Sequence, residues 1–252
     1  MSINLALILT LLTLVSGIVV AMDTLVWKTA EQDERTKSTA MATVVEYSRS
    51  FFPVLIFVLV IRSFVFEPFR IPSGSMKPTL VVGDFIFVKK FSYGLRLPVT
   101  ETKIIETGQP ERGDVVVFRL PSEPSINYIK RVVGLPGDEV SYERQRLTIN
   151  GRVMDIRANG EIFEGAPVYV EDLDGRVHQA LIHDPGYSKQ DGVYIVPEGE
   201  YFVMGDNRDR SKDSRYIGPI PEKFLVGEAV RVWMHFIPWK MPDWGRIGTK
   251  IE

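Results

Sequence analysis

Apolar and polar residues alternate on two different length scales along this chain. From Ile3 to Met22 no residue carries a charge, and only Asn4, Thr10, Thr13, Ser16 and Gly17 interrupt the apolar side chains. A helix needs ~20 such residues to cross the hydrocarbon core of a bilayer. A cleaved export signal is the competing assignment, because Val19-Val20-Ala21 loosely resembles a cleavage site. Such signals begin with a basic stretch, whereas Met1 and Ser2 carry no positive side chain, so the expectation is a retained span. Asp23 to Ser50 is polar, with Lys28, Arg35, Lys37 and Arg49 offset by a similar number of acids. A second apolar run, Phe51 to Ile61, is short for a span, and a buried core helix is its alternative. It reaches the required length if Val44 and Val45 join it and Arg62 snorkels at the far end.

Residues 1–66 are therefore expected to form a membrane anchor, with spans at about 3–22 and 45–66 and a connecting loop at 23–44. No Lys or Arg precedes the first span, while four lie in the polar segment from Asp23 to Ser50, which places the loop in the cytoplasm and everything after Glu67 outside. Arg70 and Lys77 follow the second span closely, but long domains translocate largely regardless of charge.

Beyond Glu67 the period shortens to that of strands. Asp84–Val88, Val115–Phe118, Tyr128–Val133, Arg146–Ile149, Val193–Val196, Tyr201–Met204 and Ala229–Phe236 are short apolar runs bounded by Gly, Pro, Asp or Asn. Asn150-Gly151 is a strong hairpin signal. No helix-length amphipathic period and no repeat stand out. The pattern predicts a mainly β body at 67–140 and 193–238, a more polar β/loop insertion at 141–192, and a tail at 239–252. Composition agrees, since 16 prolines and 20 glycines in 252 residues suit a turn-rich chain with room for one large or two modest domains. A net charge of −2 gives no pull toward nucleic acid, and the absence of cysteine excludes disulfides and thiolate chemistry.

Three segments carry candidate chemistry. In Phe69-Arg70-Ile71-Pro72-Ser73-Gly74-Ser75-Met76-Lys77-Pro78-Thr79-Leu80 two prolines flank a Ser-Gly-Ser turn, so a rigid bend presents two hydroxyls between apolar neighbours. Ordinary turns share this composition. Lys130 sits in an apolar strand, on one face with Tyr128 and Val132. It is either an edge residue reaching for water or, if buried, an amine held neutral and able to accept a proton. A serine hydroxyl needs such a base to become a nucleophile. Of the histidines, His178 and His183 lie in the polar insertion and His235 in an apolar strand, so a Ser-Lys pair fits better than a Ser-His-Asp triad. The third segment, Gly205-Asp206-Asn207-Arg208-Asp209-Arg210-Ser211-Lys212-Asp213-Ser214-Arg215, is no calcium loop. Arg208 and Arg210 take liganding positions and Ser211 replaces the required glycine. It is a solvated charged turn or a network that buttresses a neighbouring site.

Taken in order, these segments resemble the type I signal peptidases (leader peptidases), serine-lysine proteases of the bacterial Gram-negative form. Pro72–Leu80 resembles the nucleophile box, Gly83-Asp84 the second box, Arg112–Phe118 the strand motif after it, Tyr128–Asp138 the lysine box, and Gly205–Arg215 the last. Each box is weak alone, but five in order are specific. The resemblance implies a β-rich catalytic domain of the signal peptidase/SOS-repressor-protease type behind two transmembrane helices. It implies Ser75 as nucleophile, Lys130 as general base, Ser73 beside the Ser75 N–H in the oxyanion hole, and Ser211 orienting the lysine amine. Asp206 with Arg131, and Asp213 with Arg215, are implied as structural ion pairs.

Phe69, Ile71, Leu80, Tyr128 and Ile129 are the apolar residues expected around shallow pockets that admit small side chains, as in the Ala-x-Ala pattern of signal peptides, or else they are simply core. The implied activity is removal of signal peptides from exported preproteins at the bacterial inner membrane, beside the translocation machinery, with no metal, nucleotide or organic cofactor. The insertion at 141–192 carries no recognised motif. A self-cleaving Ser-Lys protease of the SOS-repressor type and a non-catalytic, membrane-tethered β domain are the alternatives.

Overall fold

The computed structural model describes residues 5–27, 39–97, 102–183, 191–239 and 241–252. Lys28, Arg35 and Lys37, on which the orientation of the connecting loop depends, lie outside the described residues. The chain divides into two compact units, Met1–Phe66 with Leu95–Glu106, and Glu67–Gly94 with Thr107–Glu252.

The first unit is built on two apolar helices, α1 (Leu5–Met22) and α2 (Thr39–Val60), each continued by a wider π-helical turn. The stretches Leu7–Leu25 and Met41–Val65 are long and apolar enough to cross a membrane. Their packing is local and specific. A Cβ on Gly17 would lie 2.9 Å from the Phe52 ring, so glycine is what lets that ring approach α1. Asp23, buried, pairs with Arg49 from α2. Leu11, Val15, Ile18, Phe51, Val54 and Phe57 stay exposed on the outside of the pair. Water would penalise such a surface and lipid would not. A small hairpin, β3 (Leu95–Arg96) and β4 (Lys103–Ile105), groups with this unit although the sequence pattern assigned 67–140 wholly to the catalytic body.

The second unit is a β body. Its main sheet has seven strands in the order β1 (Phe66–Arg70), β2 (Asp84–Lys89), β16 (Leu225–His235), β5 (Val115–Leu120), β6 (Glu123–Gly134), β14 (Glu200–Met204) and β15 (Ile220–Pro221). Both faces are covered, and the strand period decides which residue faces which layer. On β5, Val115 and Val117 join a core with Ile71, Met76, Leu80, Ile86 and Val232. Val116 and Phe118 join the opposite core with Val132, Tyr201 and Val203. The Ser73–Gly74–Ser75 turn is thereby anchored through Ile71, Met76 and Leu80 in the main core.

Among the described residues the expected β/loop insertion consists largely of regular strands. β7 (Glu139–Glu143), β8 (Arg146–Ile149), β9 (Arg152–Val153) and β13 (Gly192–Ile195) form one sheet. β10 (Asp155–Phe163), β11 (Ala166–Leu173) and β12 (Arg176–Leu181) form another. The Asn150-Gly151 turn joins β8 to β9, with both residues at positive φ of 50° and 77°, as that hairpin turn demands. The expected tail is also ordered. Thr249 and Ile251 bond back along β16, and Ile251 enters the main core. Arg246 of the same segment grips both oxygens of buried Asp84 and the Thr79 carbonyl.

Candidate active site

Ser75 lies in a turn whose ends are fixed by the core, and its Oγ sits 2.7 Å from Lys130 Nζ. Lys130 comes from β6 at the point where its neighbour departs. β14 pairs with β6 only as far as Arg131 and then turns away at Gly205, leaving room beside Lys130 for the serine turn. The lysine is 3% exposed, and its amine also donates to the Ile129 carbonyl at 2.8 Å. Burial lowers its pKa from 10.5 to about 8, against the opposing pull of Asp213 and Asp206 and with help from Arg215. Of the two assignments open for Lys130 from sequence, the buried amine is the one realised.

Ser73 Oγ stands 3.5 Å from Ser75 Oγ, so both hydroxyls face the same spot. The Ser75 N–H donates to no group among the described residues and is available to a ligand. A hydroxyl, an N–H and a neutral amine around one oxygen can activate that oxygen and stabilise negative charge beside it.

The 205–215 segment holds the turn from behind. Asn207 donates its backbone N–H to the Ser75 carbonyl at 3.1 Å and its side-chain amide to the Gly74 carbonyl at 2.9 Å. His183 Nε2 contacts Asn207 Oδ1 at 2.9 Å and fixes the amide's orientation. Gly205 permits the close approach, since a Cβ there would meet the Ser75 carbonyl at 2.5 Å. Asp206 receives Arg131 through two bonds of 2.8 and 2.7 Å and also Thr79 Oγ1 at 2.6 Å. Burial alone would push the Asp206 carboxyl up, but the Arg131 guanidinium outweighs it and holds it below the usual carboxylate range. Arg131 further donates to the Gly113 and Glu252 carbonyls. Asp213 accepts two bonds of 2.8 Å from Arg215 and one from the Gly205 N–H, and caps the short helix α3 (Ser214–Ile217).

Each residue singled out from sequence has a definite place. Ser75, Lys130 and Ser73 meet, and the two Asp–Arg pairs lie behind them. Ser211 departs from its expected part. Its Oγ is buried without a hydrogen-bond partner and lies against Gly205, whose Cβ would be 2.2 Å from it, so Ile129 rather than Ser211 takes the amine's second bond. Ile71, Leu80 and Ile129 belong to the main core, at 2%, 0% and 8% exposure. Phe69 is packed against that core and Tyr128 against the opposite one, both only partly buried. Leu80 and Ile71 are therefore backing for any pocket, while Phe69 and Tyr128 keep accessible surface.

Asn207, His183, Gly205 and Thr79 support the turn but were not distinguished by sequence pattern. Asn207 is an uncharged amide inside a charged run, and that is the one cue it offers.

The sequence has counterparts among known proteins. A family model described as signal peptidase, peptidase S26, matches residues 44–234. Signal peptidase I of Pseudomonas aeruginosa is 50% identical over 224 residues, covering 82% of this chain and 79% of its own. Signal peptidase I of Pseudomonas fluorescens is 51% identical over 223 residues, covering 81% and 78%. That of Buchnera aphidicola (subspecies Acyrthosiphon pisum) is 38% identical over 250 residues, covering 81% and 80%. A solved signal peptidase I from Enterococcus faecalis shares 27% identity at a TM-score of 0.31, covering 49% of this chain and 98% of that one. With the family model matching residues 44–234 and the Pseudomonas aeruginosa relative 50% identical over 82% of the chain, the chain belongs to the signal peptidase family, peptidase S26.

Proposed function

We propose that this protein is a membrane-bound serine endopeptidase that removes N-terminal signal peptides from exported preproteins by means of a Ser75–Lys130 dyad. The observation that carries the reading is the 2.7 Å contact between Ser75 Oγ and a buried amine whose pKa lies near pH 8 rather than 10.5. The neutral Lys130 amine takes the Ser75 hydroxyl proton as Oγ attacks the scissile carbonyl carbon. The resulting oxyanion accepts from the Ser75 N–H and the Ser73 hydroxyl. Each such donor is worth ~2.7–4 kcal/mol because the charge it meets develops only in the transition state. Collapse breaks the C–N bond, and the Lys130 ammonium returns its proton to the leaving amine. Water, deprotonated by the same amine, then hydrolyses the acyl-serine and frees the hydroxyl.

The substrate reading rests on shape and apolarity. β6 pairs with β14 only over its last residues, so its edge from Glu123 to Lys130 opposite β5 carries no strand among the described residues. An extended peptide adds to such an edge through its backbone. Phe69, backed by Ile71, Leu80 and Ile129, would then face small side chains near the scissile bond, which suits an Ala-x-Ala site, while Tyr128, whose ring lies 5.4 Å from Lys130 Nζ, would flank the dyad. Both apolar helices are read as spans with the β body on the extracytoplasmic side, near the translocation machinery. Exposed Trp239, Met241 and Trp244 are read as contacts with lipid, in keeping with the taste of tryptophan for membrane interfaces. Residues 67–140 and 193–238 are read as the catalytic domain, with 141–192 inserted in it.

The test is cleavage of a preprotein by the full chain in detergent, with and without a chelator, and the mass of the released fragments. A single cut immediately after an Ala-x-Ala site, unaffected by the chelator, is the expected result. No cleavage, or cuts unrelated to small residues, would sink the reading in favour of a tethered binding domain.

A further inference from the structure

The family reading leaves the inserted sheet without a task. One contact ties it to the catalytic turn. Lys77, two residues after Ser75, folds back over Gly74, so that a Cβ on that glycine would lie 3.2 Å from its Cε and 3.7 Å from its Nζ. The ammonium then meets both carboxylate oxygens of Glu164, at 2.7 and 2.5 Å. Glu164 forms, with Gly165, the two-residue turn between β10 and β11. Phe163 pairs with Ala166 across it, and both turn residues have positive φ, 49° and 82°. Such a turn holds its tip rigidly relative to the strands. Phe163 packs onto Ala166, Val168 and Leu181, which fixes the hairpin's base to the insertion's own small core.

We propose that Glu164 is a positioning residue for the reaction: by latching Lys77 it lets the inserted hairpin hold the Ser73–Gly74–Ser75 turn in the conformation that attack requires. Asn207 restrains the turn from one side through the Gly74 and Ser75 carbonyls. The Lys77 stem restrains it from another by covering Gly74, which has no side chain to limit its own backbone. Without the carboxylate the lysine loses its anchor and the glycine regains that freedom. Lys77 is mostly covered, its side chain 18% exposed, while Glu164 is 59% exposed, so the pair is partly screened and its effect modest. The inference rests on Ser75 being the nucleophile.

The experiment is steady-state cleavage of a preprotein by the full chain in detergent, with kcat and KM measured separately and a thermal midpoint for each variant. Glu164→Gln and Lys77→Gln are each expected to lower kcat about three- to tenfold with KM within about twofold. The double variant should lose no more than the worse single one, because the two side chains act as a unit. Glu164→Asp should recover most of the loss. Wild-type kcat in Glu164→Gln would overturn the proposal. So would losses that multiply in the double variant, or a lowered thermal midpoint with kcat unchanged, since that is what a merely structural tether produces. A preprotein still cut by Ser75→Ala would instead bring down the nucleophile assignment itself, whatever Glu164→Gln does.

Discussion

Lys130 makes the sharpest quantitative prediction, and the perturbation needed is pH itself. Burial lowers the amine's pKa from 10.5 to about 8, with Asp213 and Asp206 opposing and Arg215 assisting. At ~1.36 kcal/mol for each tenfold change, that drop corresponds to roughly 3 kcal/mol of preference for the neutral form. A pKa of about 8 leaves roughly one tenth of the enzyme with a neutral base at pH 7, half at pH 8 and nine tenths at pH 9. With an ordinary lysine only about 0.3% would be neutral at pH 8, so burial raises the competent fraction by ~150-fold there. The assay is kcat/KM for a signal-peptide substrate from pH 6 to 10 in a detergent whose micelles do not titrate. A limb of unit slope that levels off near pH 8 to 9 is expected. A flat profile, or a limb still rising at pH 10, would refute the account of the base. The same shift has a stability consequence of defined sign. The folded pKa lies below the unfolded one, so between about 8 and 10.5 the unfolded chain binds the extra proton and stability rises with pH.

Other consequences follow from the scaffold. Gly205→Ala places a methyl 2.5 Å from the Ser75 carbonyl and 2.2 Å from Ser211 Oγ, so the turn must shift. A displacement near 1 Å costs on the order of 10²-fold in kcat, which steady-state rates on a correctly folded variant would reveal. Glu171→Gln leaves Arg208, buried and bonded to both Glu171 oxygens, without its counter-charge. Chemical denaturation should show a loss of about 3–5 kcal/mol, and unchanged stability would contradict the reading of the pair. Burial pushes the Glu171 and Asp206 carboxyls up, but Arg208 and Arg131 outweigh it and hold both below the carboxylate range. Their contribution is therefore present above pH ~4 and lost as pH falls below it, so denaturant midpoints should decline on acidification.

Much of this was legible in the residues because the relevant signals are local. The runs at Asp84, Val115, Tyr128, Tyr201 and Ala229 are apolar on alternate or all positions, and each became a strand of the main sheet. Ser75 and Lys130 stood out by resemblance, and their meeting depends on the chain folding back over a separation of 55 positions, which no local pattern encodes. The insertion hid its order because β10 is an edge strand, mostly exposed on both faces, with a bulge between Ala158 and Ile162. Exposed strands need no apolar alternation. The segment at 239–252 read as a tail because it holds no strand-like apolar run, although backbone bonds to β16, Ile251 in the main core, Arg246 on Asp84 and the Glu252 carbonyl on Arg131 attach it. The part that the family resemblance implies for Ser211, orienting the Lys130 amine, has no hydrogen bond to match it, because the Ser211 hydroxyl lies buried against Gly205.

The central claim is that Ser75 and Lys130 act as one chemical unit. Single-turnover cleavage of a preprotein by Ser75→Ala, Lys130→Ala and the double variant, each checked for native folding, tests it most directly. Residues that act as a unit are non-additive, so each single variant should lose at least ~10³-fold and the double no more than the worse single one. Retention of activity within about tenfold in Ser75→Ala, or losses that multiply in the double variant, would contradict the dyad.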